Sequence, residues 1–395
     1  MASMRELYFR HMGLPSSKPL ALEVERAEGI YFYDPNGKRY TDLVSGVAVS
    51  SVGHRHPRVV QAINEQLDRY MHLMVYGEYI QSPQVLLAHK ISELLPANLD
   101  AVYFVNSGSE AIEGALKLAK RHTGRSEIIA FNKAYHGGTA GALSILGNES
   151  LKNAFRPLLP DVRFLEFNDE SMLENITDKT ACVVLECIQA EAGIILPEDG
   201  FIKKLRNRCT ETGALLIIDD IQMGFGRTGR LFSFEHHDIV PDILCLAKSM
   251  GGGMPIGAFV SSREIMDELT FEPELGHITT FGGHPVSCAA ALASLKIIIE
   301  DRLADRALAI GQAYHESLKH HHAIKEIRYQ GLMMAVELEN DAITNELVSL
   351  FQEEGLITDR FLFRSSAFRI APPLTITDEQ QEETVHSIIQ CLDKL

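Results

Sequence analysis

The sequence predicts an α/β fold: a mostly parallel sheet covered by helices on both faces, joined to a smaller α+β domain. Three observations carry that expectation. From about residue 100, short apolar runs alternate with amphipathic stretches, the pattern of parallel strands joined by crossover helices. The apolar runs are apolar almost throughout, as strands covered on both faces must be. After residue 285 the alternation gives way to a long helical stretch, short strands and a final helix. With 395 residues, 46% of them apolar and 23% charged, the chain is large enough to need two domains.

Taken in order, residues 29–46 (GIYFYDPNGKRYTDLVSG) read as a strand, a turn at residues 34–37 and a second strand. Residues 1–50 are assigned to an N-terminal segment that packs with the small domain. The large domain, 51–285, holds seven strand candidates: 101–105, 127–131, 162–167, 181–187, 214–219, 242–247 and 256–262. Between the first two, SEAIEGALKLAKRHTG repeats Ile112, Leu116 and Ala119 at helical spacing. Its first turn is acidic, its last turn basic, and Gly124 ends it. The small domain, 286–395, opens with a stretch that reads as one long helix up to His322. The short strands EIRYQ, LMMAVELE and FRIAPPL follow, then an amphipathic helix from about Thr377.

Composition excludes several function classes. A formal charge of -16 with no basic stripe argues against nucleic acid. No run of eighteen apolar residues appears, and the first twenty residues lack the signature of a secretory signal, so the chain is expected in the cytoplasm and off the membrane. The six cysteines show neither C-x-x-C spacing nor a metal-ligand pattern and read as reduced core residues. His320, His321 and His322 form the one histidine tract, but consecutive histidines on a helix do not share a face. No metal is expected.

Four features fall at the ends of predicted strands, where catalytic groups of such a sheet gather. Ser107, Gly108 and Ser109 join a strand to a helix start, suited either to a phosphate or to ordinary capping. Tyr135, in NKAYHGG, could lie against a planar ring or simply pack in the core. Asp219 and Asp220 close a buried strand with side chains on opposite faces, so one can meet a cationic ligand atom while the other makes structural hydrogen bonds. Lys248 lies inside an apolar run and precedes three glycines. Burial there lowers an amine's pKa and makes it nucleophilic. A lysine, a strand-end carboxylate, a phosphate cradle and an aromatic platform together fit pyridoxal 5'-phosphate.

The stretches DLVSGVAVSSVGHRHP, VNSGSEAIEGALKLAK, AYHG, LECIQAEAG, LLIIDDIQMGFGRTGRLF, PDILCLAKSMGGGMPIGA, TTFGGHPVSCAAALA and FRIAPPL resemble, in order and spacing, the class III pyridoxal-phosphate aminotransferases of fold type I. The resemblance implies that Lys248 forms the Schiff base with the cofactor and shuttles protons, and that Asp219 pairs with its pyridine nitrogen. Gln222 would approach the phenolic oxygen, and Tyr135 would stack on the ring. Ser107, Gly108 and Ser109 would hold the phosphate, with Thr280 of the partner subunit. His136 and Glu186 complete the set expected around the cofactor. A homodimer with shared active sites is implied, with tetramers left open. Arg369 resembles the family's carboxylate-binding arginine, and Glu191 the acid that covers it when no carboxylate is bound.

The departures concern substrate. Acetylornithine, ornithine and 4-aminobutyrate members usually read H-G-R after the aromatic, and that arginine clamps a second carboxylate; here the position is Gly138. Val47 stands where ornithine members carry a tyrosine, and ECIQAE replaces the family's E-P-I-Q-G-E. Tyr76, Glu78 and Tyr79 fall where related enzymes place pocket residues. The expected activity is transfer of a terminal amino group from an amine or ω-amino acid to a 2-oxo acid, with pyruvate favoured over 2-oxoglutarate. The alternatives are an acetylornithine- or ornithine-type enzyme using 2-oxoglutarate, or a mutase or lyase on the same fold.

Overall fold

The seven apolar runs pair into one sheet in the order Ala101–Val105, Gly257–Ser261, Ile243–Leu246, Leu215–Asp219, Thr180–Leu185, Glu127–Phe131, Val162–Leu165. The computed structural model describes residues 2–395. Only Gly257–Ser261 runs antiparallel to its neighbours. Side chains alternate between two cores. Ile129, Val183, Leu185, Leu216 and Ile218 face one; Ile128, Cys182, Val184, Leu215 and Ile217 face the other. Both faces being covered explains why polar residues are sparse in these runs and fall mostly at their ends.

The helix Gly108–Thr123 starts where Ser107 Oγ accepts from Glu110 N (3.2 Å) and ends at Gly124 in the left-handed conformation. It buries Ile112, Ala115, Leu116 and Ala119. Gly114 lets it approach the sheet, since a Cβ there would sit 2.3 Å from the Phe259 ring.

Two four-stranded sheets flank this layer. One joins Arg26–Glu28, Tyr31–Tyr33 and Arg39–Asp42 to Leu356–Ile357, the last pair parallel. The other orders Glu326–Gln330, Met333–Glu337, Arg364–Ile370 and Arg360–Phe361 antiparallel. The final helix, Asp378–Leu392, is closed at its start by a reciprocal cap between Thr377 and Gln380.

Two expected elements differ: the strand read at FRIAPPL is Arg364–Ile370 and includes only its first three residues, and the long helix is divided. The stretch from Pro285 is two helices, Pro285–Glu300 and Leu303–Leu318, separated by Arg302 at φ +51°. The first packs on Pro57–Leu67 and Ser82–Glu93, the second on Asp378–Leu392. The bend divides the stretch between two parts of the molecule, which helix-compatible residues at 301 and 302 do not reveal.

The carboxyl ends of the parallel strands gather at one edge. Gly257 pairs there with Val105, and a Cβ on Gly257 would lie 2.3 Å from Ser107 O. Gly257→Ala should therefore push the 106–109 turn off the strand and lower stability by about 1–3 kcal/mol. Denaturant unfolding of the cofactor-free protein measures this, and an unchanged midpoint would show that the turn accommodates the methyl.

Candidate active site

At that strand edge lies a cavity of ≈ 500 Å³ whose walls include Ser107, Gly108, Ser109, Tyr135, His136, Gly138, Glu186, Asp219, Gln222 and Lys248. Sequence positions spread over 140 residues meet there because each follows a strand of the same sheet. The strand Ile243–Leu246 delivers Lys248 after one extended residue, and Lys248 itself turns into the left-handed region at φ +49°. A non-glycine residue held there is strained, a feature that persists only where the surroundings fix it. Its neighbour Ser249 supplies that hold, with Oγ donating to Ala48 O (2.7 Å) and lying 2.6 Å from Ser51 Oγ. Arg227 in turn donates to Ser51 Oγ (2.9 Å).

The Lys248 amine donates to Gln222 Oε1 at 2.6 Å. Desolvation lowers it to about 8, against the opposing pull of Glu191 and Asp219. The two strand-end aspartates diverge. Asp219 lines the cavity, accepting from Ile221 N (3.1 Å) and lying 2.7 Å from His136 Nδ1. Asp220 points away, accepts from Ser233 N (3.0 Å), and is raised to about 7 by burial. Glu186, behind Asp219, is raised well above the usual carboxylate range by burial and then by Asp219. Tyr135 N and Ala190 N donate to it at 3.3 and 3.4 Å.

Across the cavity, Ser107, Gly108 and Ser109 form the helix start. Ser109 Oγ accepts from Thr139 N (3.1 Å). Gly137, at φ +129°, packs so tightly that a Cβ would fall 2.3 Å from Ser109 Oγ. Backbone amides at a helix start fit a phosphate.

Gln222 links this cavity to a second group of charges. Its Nε2 donates to Glu191 Oε1 (3.5 Å), which also accepts from Arg369 Nη2 (2.9 Å). Burial pushes Glu191 up, but Arg369 outweighs it and holds the acid below its ordinary value. Arg369 is 1% exposed, and its Nη1 has no hydrogen-bond partner among the described residues. Asp359, which the sequence reading did not single out, lies 2.9 Å from Arg369 Nε. The strand register, with Arg369 N donating to Asp359 O (3.0 Å), brings the two together. No local pattern announces that contact.

Other expected residues lie elsewhere. Val47 is half-buried in a left-handed turn at φ +61°, and Val49 lines the cavity in its place. Tyr76 and Glu78 border a separate surface cavity with Phe104 and Thr279. Thr280 is exposed, and its carbonyl accepts from His72 Nε2 (2.9 Å). His321 Nε2 lies 3.1 Å from Asp393 Oδ1, and no cluster of potential metal ligands occurs among the described residues. No helix among them is long and apolar enough to cross a membrane. All six cysteines are buried and unpaired.

A lysine of lowered pKa, a carboxylate fixed for a cationic ring atom and a glycine-walled helix start fit pyridoxal phosphate, so the fold and site define a fold type I pyridoxal-phosphate enzyme. Residues 13–392 match the family model for class-III aminotransferases, and the chain belongs to that family. It is 38% identical over 384 residues to the acetylornithine aminotransferase of Methanopyrus kandleri, covering 97% of this chain and 96% of that one. It is 36% identical over 397 residues to the ornithine aminotransferase of Macrococcus caseolyticus, with 97% of each covered. Among solved structures, the ornithine aminotransferase of Toxoplasma gondii, described with partial occupancy of PLP at its active site, superposes with a TM-score of 0.90. Identity is 31%, over 99% of this chain and 94% of that one.

The lowered Lys248 pKa gives a stability prediction with a definite sign. The folded amine titrates near 8 and the unfolded amine near 10.5, so between those values the unfolded chain binds more protons and stability rises with pH. Melting temperatures of cofactor-free wild type and Lys248→Met should converge in the wild type's favour from pH 8 to 10.5. A constant difference would show that the amine is not desolvated.

Proposed function

We propose that the chain removes the terminal amino group of an ornithine-type donor, free or N-acylated, and delivers it to a 2-oxo acid. The observation that carries this reading is the contact series from Lys248 through Gln222 to Glu191 and Arg369. It connects a proton-transferring amine to a carboxylate site that opens when Glu191 leaves. The relatives named acetylornithine and ornithine aminotransferases support this donor class over the broader amine reading, and with it 2-oxoglutarate over pyruvate.

Pyridoxal phosphate, when bound, supplies an electron sink for the carbon that loses its proton. Ser107, Gly108 and Ser109 would hold the phosphate, Tyr135 would lie against the ring, and Asp219, 2.7 Å from His136 Nδ1, would meet the ring nitrogen. Glu186, raised well above the usual carboxylate range by burial and then by Asp219, lies behind Asp219. Lys248 Nζ, lowered to about 8, has a neutral fraction near pH 7 that accepts the proton from the donor's amino-bearing carbon. Arg369 then receives the carboxylate of the amino or oxo acid, with Asp359 retaining the guanidinium as Glu191 withdraws.

Thr280 lies outside its own chain's cavity, which supports a homodimer in which Thr280 of the partner subunit completes the phosphate site. Six unpaired cysteines favour a reducing compartment such as the cytoplasm. The second reading, an amine or ω-amino acid transaminase preferring pyruvate, rests on Gly138, which supplies no cation for a second carboxylate.

A half-reaction assay separates the readings: N2-acetylornithine converts the enzyme to its pyridoxamine form, and recovery is followed with 2-oxoglutarate or pyruvate. Faster recovery with 2-oxoglutarate is expected. Faster recovery with pyruvate would establish the second reading, and steady turnover without any acceptor would indicate a mutase or lyase. Lys248→Ala should lower turnover by about 10²-fold or more while retaining cofactor non-covalently.

A further inference from the structure

We propose that Asp359 is a positioning residue for substrate carboxylates: it fixes the Arg369 guanidinium once Glu191 has moved aside, and so sets how well the enzyme takes carboxylate-bearing partners. The inference rests on the reading above in which Glu191 withdraws for a carboxylate. It starts from one short hairpin. The strands Arg360–Phe361 and Arg364–Ile370 are joined by a turn of Leu362 and Phe363. This hairpin, with Thr358 and Asp359 before it, touches both members of the Arg369–Glu191 pair.

Glu191 is gripped at the turn. Leu362 N donates to Glu191 Oε2 (3.1 Å), and Phe363 N donates to the Glu191 carbonyl (3.0 Å). The second contact is to the main chain, so it survives a swing of the Glu191 side chain; the first does not. Arg369 is gripped at the base. Thr358 Oγ1 donates to Arg369 O, and Arg369 N donates to Asp359 O (3.0 Å). These bonds fix the backbone and leave the guanidinium to side-chain contacts. Glu191 Oε1 lies 2.9 Å from Nη2, Asp359 Oδ1 lies 2.9 Å from Nε, and the Phe361 ring centre lies 4.6 Å from Cζ. Without Glu191, the ion pair left to Arg369 among the described residues is the one with Asp359. Asp359 Oδ1 is shielded from solvent and, like Arg369 Nε, has no hydrogen-bond partner among the described residues. Each atom therefore depends on the other for compensation.

The charge of Asp359 does not oppose this role. It repels an incoming carboxylate, but that carboxylate takes the place of Glu191, which Asp359 already faces. The repulsion is similar before and after the exchange and largely cancels. Orientation does not cancel. An arginine released by Glu191 regains rotamer freedom that a substrate must remove again, and its planar fork pairs well with a carboxylate in one orientation only. With Asp359 on the Nε side, the edge formed by Nη1 and Nη2 is the one presented to a substrate, and Nη1 has no hydrogen-bond partner in the closed pair.

The test is the acceptor half-reaction of enzyme loaded as its pyridoxamine form, which needs no donor. Saturation curves for pyruvate, 2-oxoglutarate and butanal, an acceptor without a carboxylate, separate affinity from the limiting rate. Asp359→Ala should raise the half-saturating concentration of both oxo acids roughly tenfold, the size expected of one contact to a charged group, with butanal changed less than about threefold. Asp359→Asn keeps an oxygen acceptor and should show a smaller rise in the same direction. An equal change for butanal, an effect confined to the limiting rate, or a lower half-saturating concentration for the oxo acids overturns the proposal. If Asp359→Ala does not fold, the ratio of oxo acid to butanal in Asp359→Asn decides between the same outcomes. Glu191→Gln keeps the two readings apart: if its oxo-acid saturation matches the wild type, the withdrawal of Glu191 falls. Asp359→Ala added to Glu191→Gln then decides the positioning role by itself, since the loss for oxo acids should persist there.

Discussion

Desolvation of one amine is the constraint on which the site's architecture depends. Lys248 must be enclosed enough for its pKa to fall to about 8, yet an enclosed ammonium without partners would destabilise the fold. The structure resolves this by ending an apolar strand at Leu246, two residues earlier, and turning the lysine into a cavity edged by acids. Gln222 accepts its hydrogen bond, while Glu191 and Asp219 oppose the desolvation from a distance. The turn is held by Ser249, Ser51 and Arg227. These contacts join the 42–51 segment, the lysine loop and, through Arg227 Nη1 donating to Pro372 O (2.6 Å), the segment after Arg369. A reactive group on a loop becomes precisely oriented when its neighbours are locked in this way.

The four acids near the lysine have one chemistry and different environments. Asp219 faces the cavity and His136, whereas Asp220, its chain neighbour, faces Ser233 and is raised to about 7. Glu186 is raised by burial and by Asp219, while Glu191 is lowered by Arg369 despite its burial. Glu191, paired with Arg369 at 2.9 Å, balances a guanidinium that is 1% exposed. Environment, not residue type, sorts these groups into roles.

Much of this was legible in the sequence because burial on both faces leaves a plain mark. All seven strands of the main sheet coincide with the apolar runs, with ends differing by two residues or fewer. The residues that close those strands were legible for the same reason: a charged side chain at the end of an apolar run is conspicuous. What was not legible depends on contacts between distant segments. The break at Arg302 arises because its two flanking helices pack on different partners. Asp359 reaches Arg369 through strand register, and the left-handed turn at 45–48 brings Val49 in place of Val47 to the cavity. Thr280 and Tyr76 lie outside the cavity of their own chain, a placement that no property of those two residues encodes.

Gly138 illustrates how far one missing side chain can be carried. Taken alone, the absence of an arginine points to monocarboxylate substrates and hence to pyruvate. The relatives named acetylornithine and ornithine aminotransferases favour a different outcome. Removing a side chain deletes a cation and also opens a passage, and at this position the passage leads to walls of leucine and phenylalanine. The cation that remains near the amine is Arg369, held by Glu191 and Asp359 at 2.9 Å each and linked to Lys248 through Gln222, so positive charge lies on the Gln222 side of the cavity and not beside Gly138.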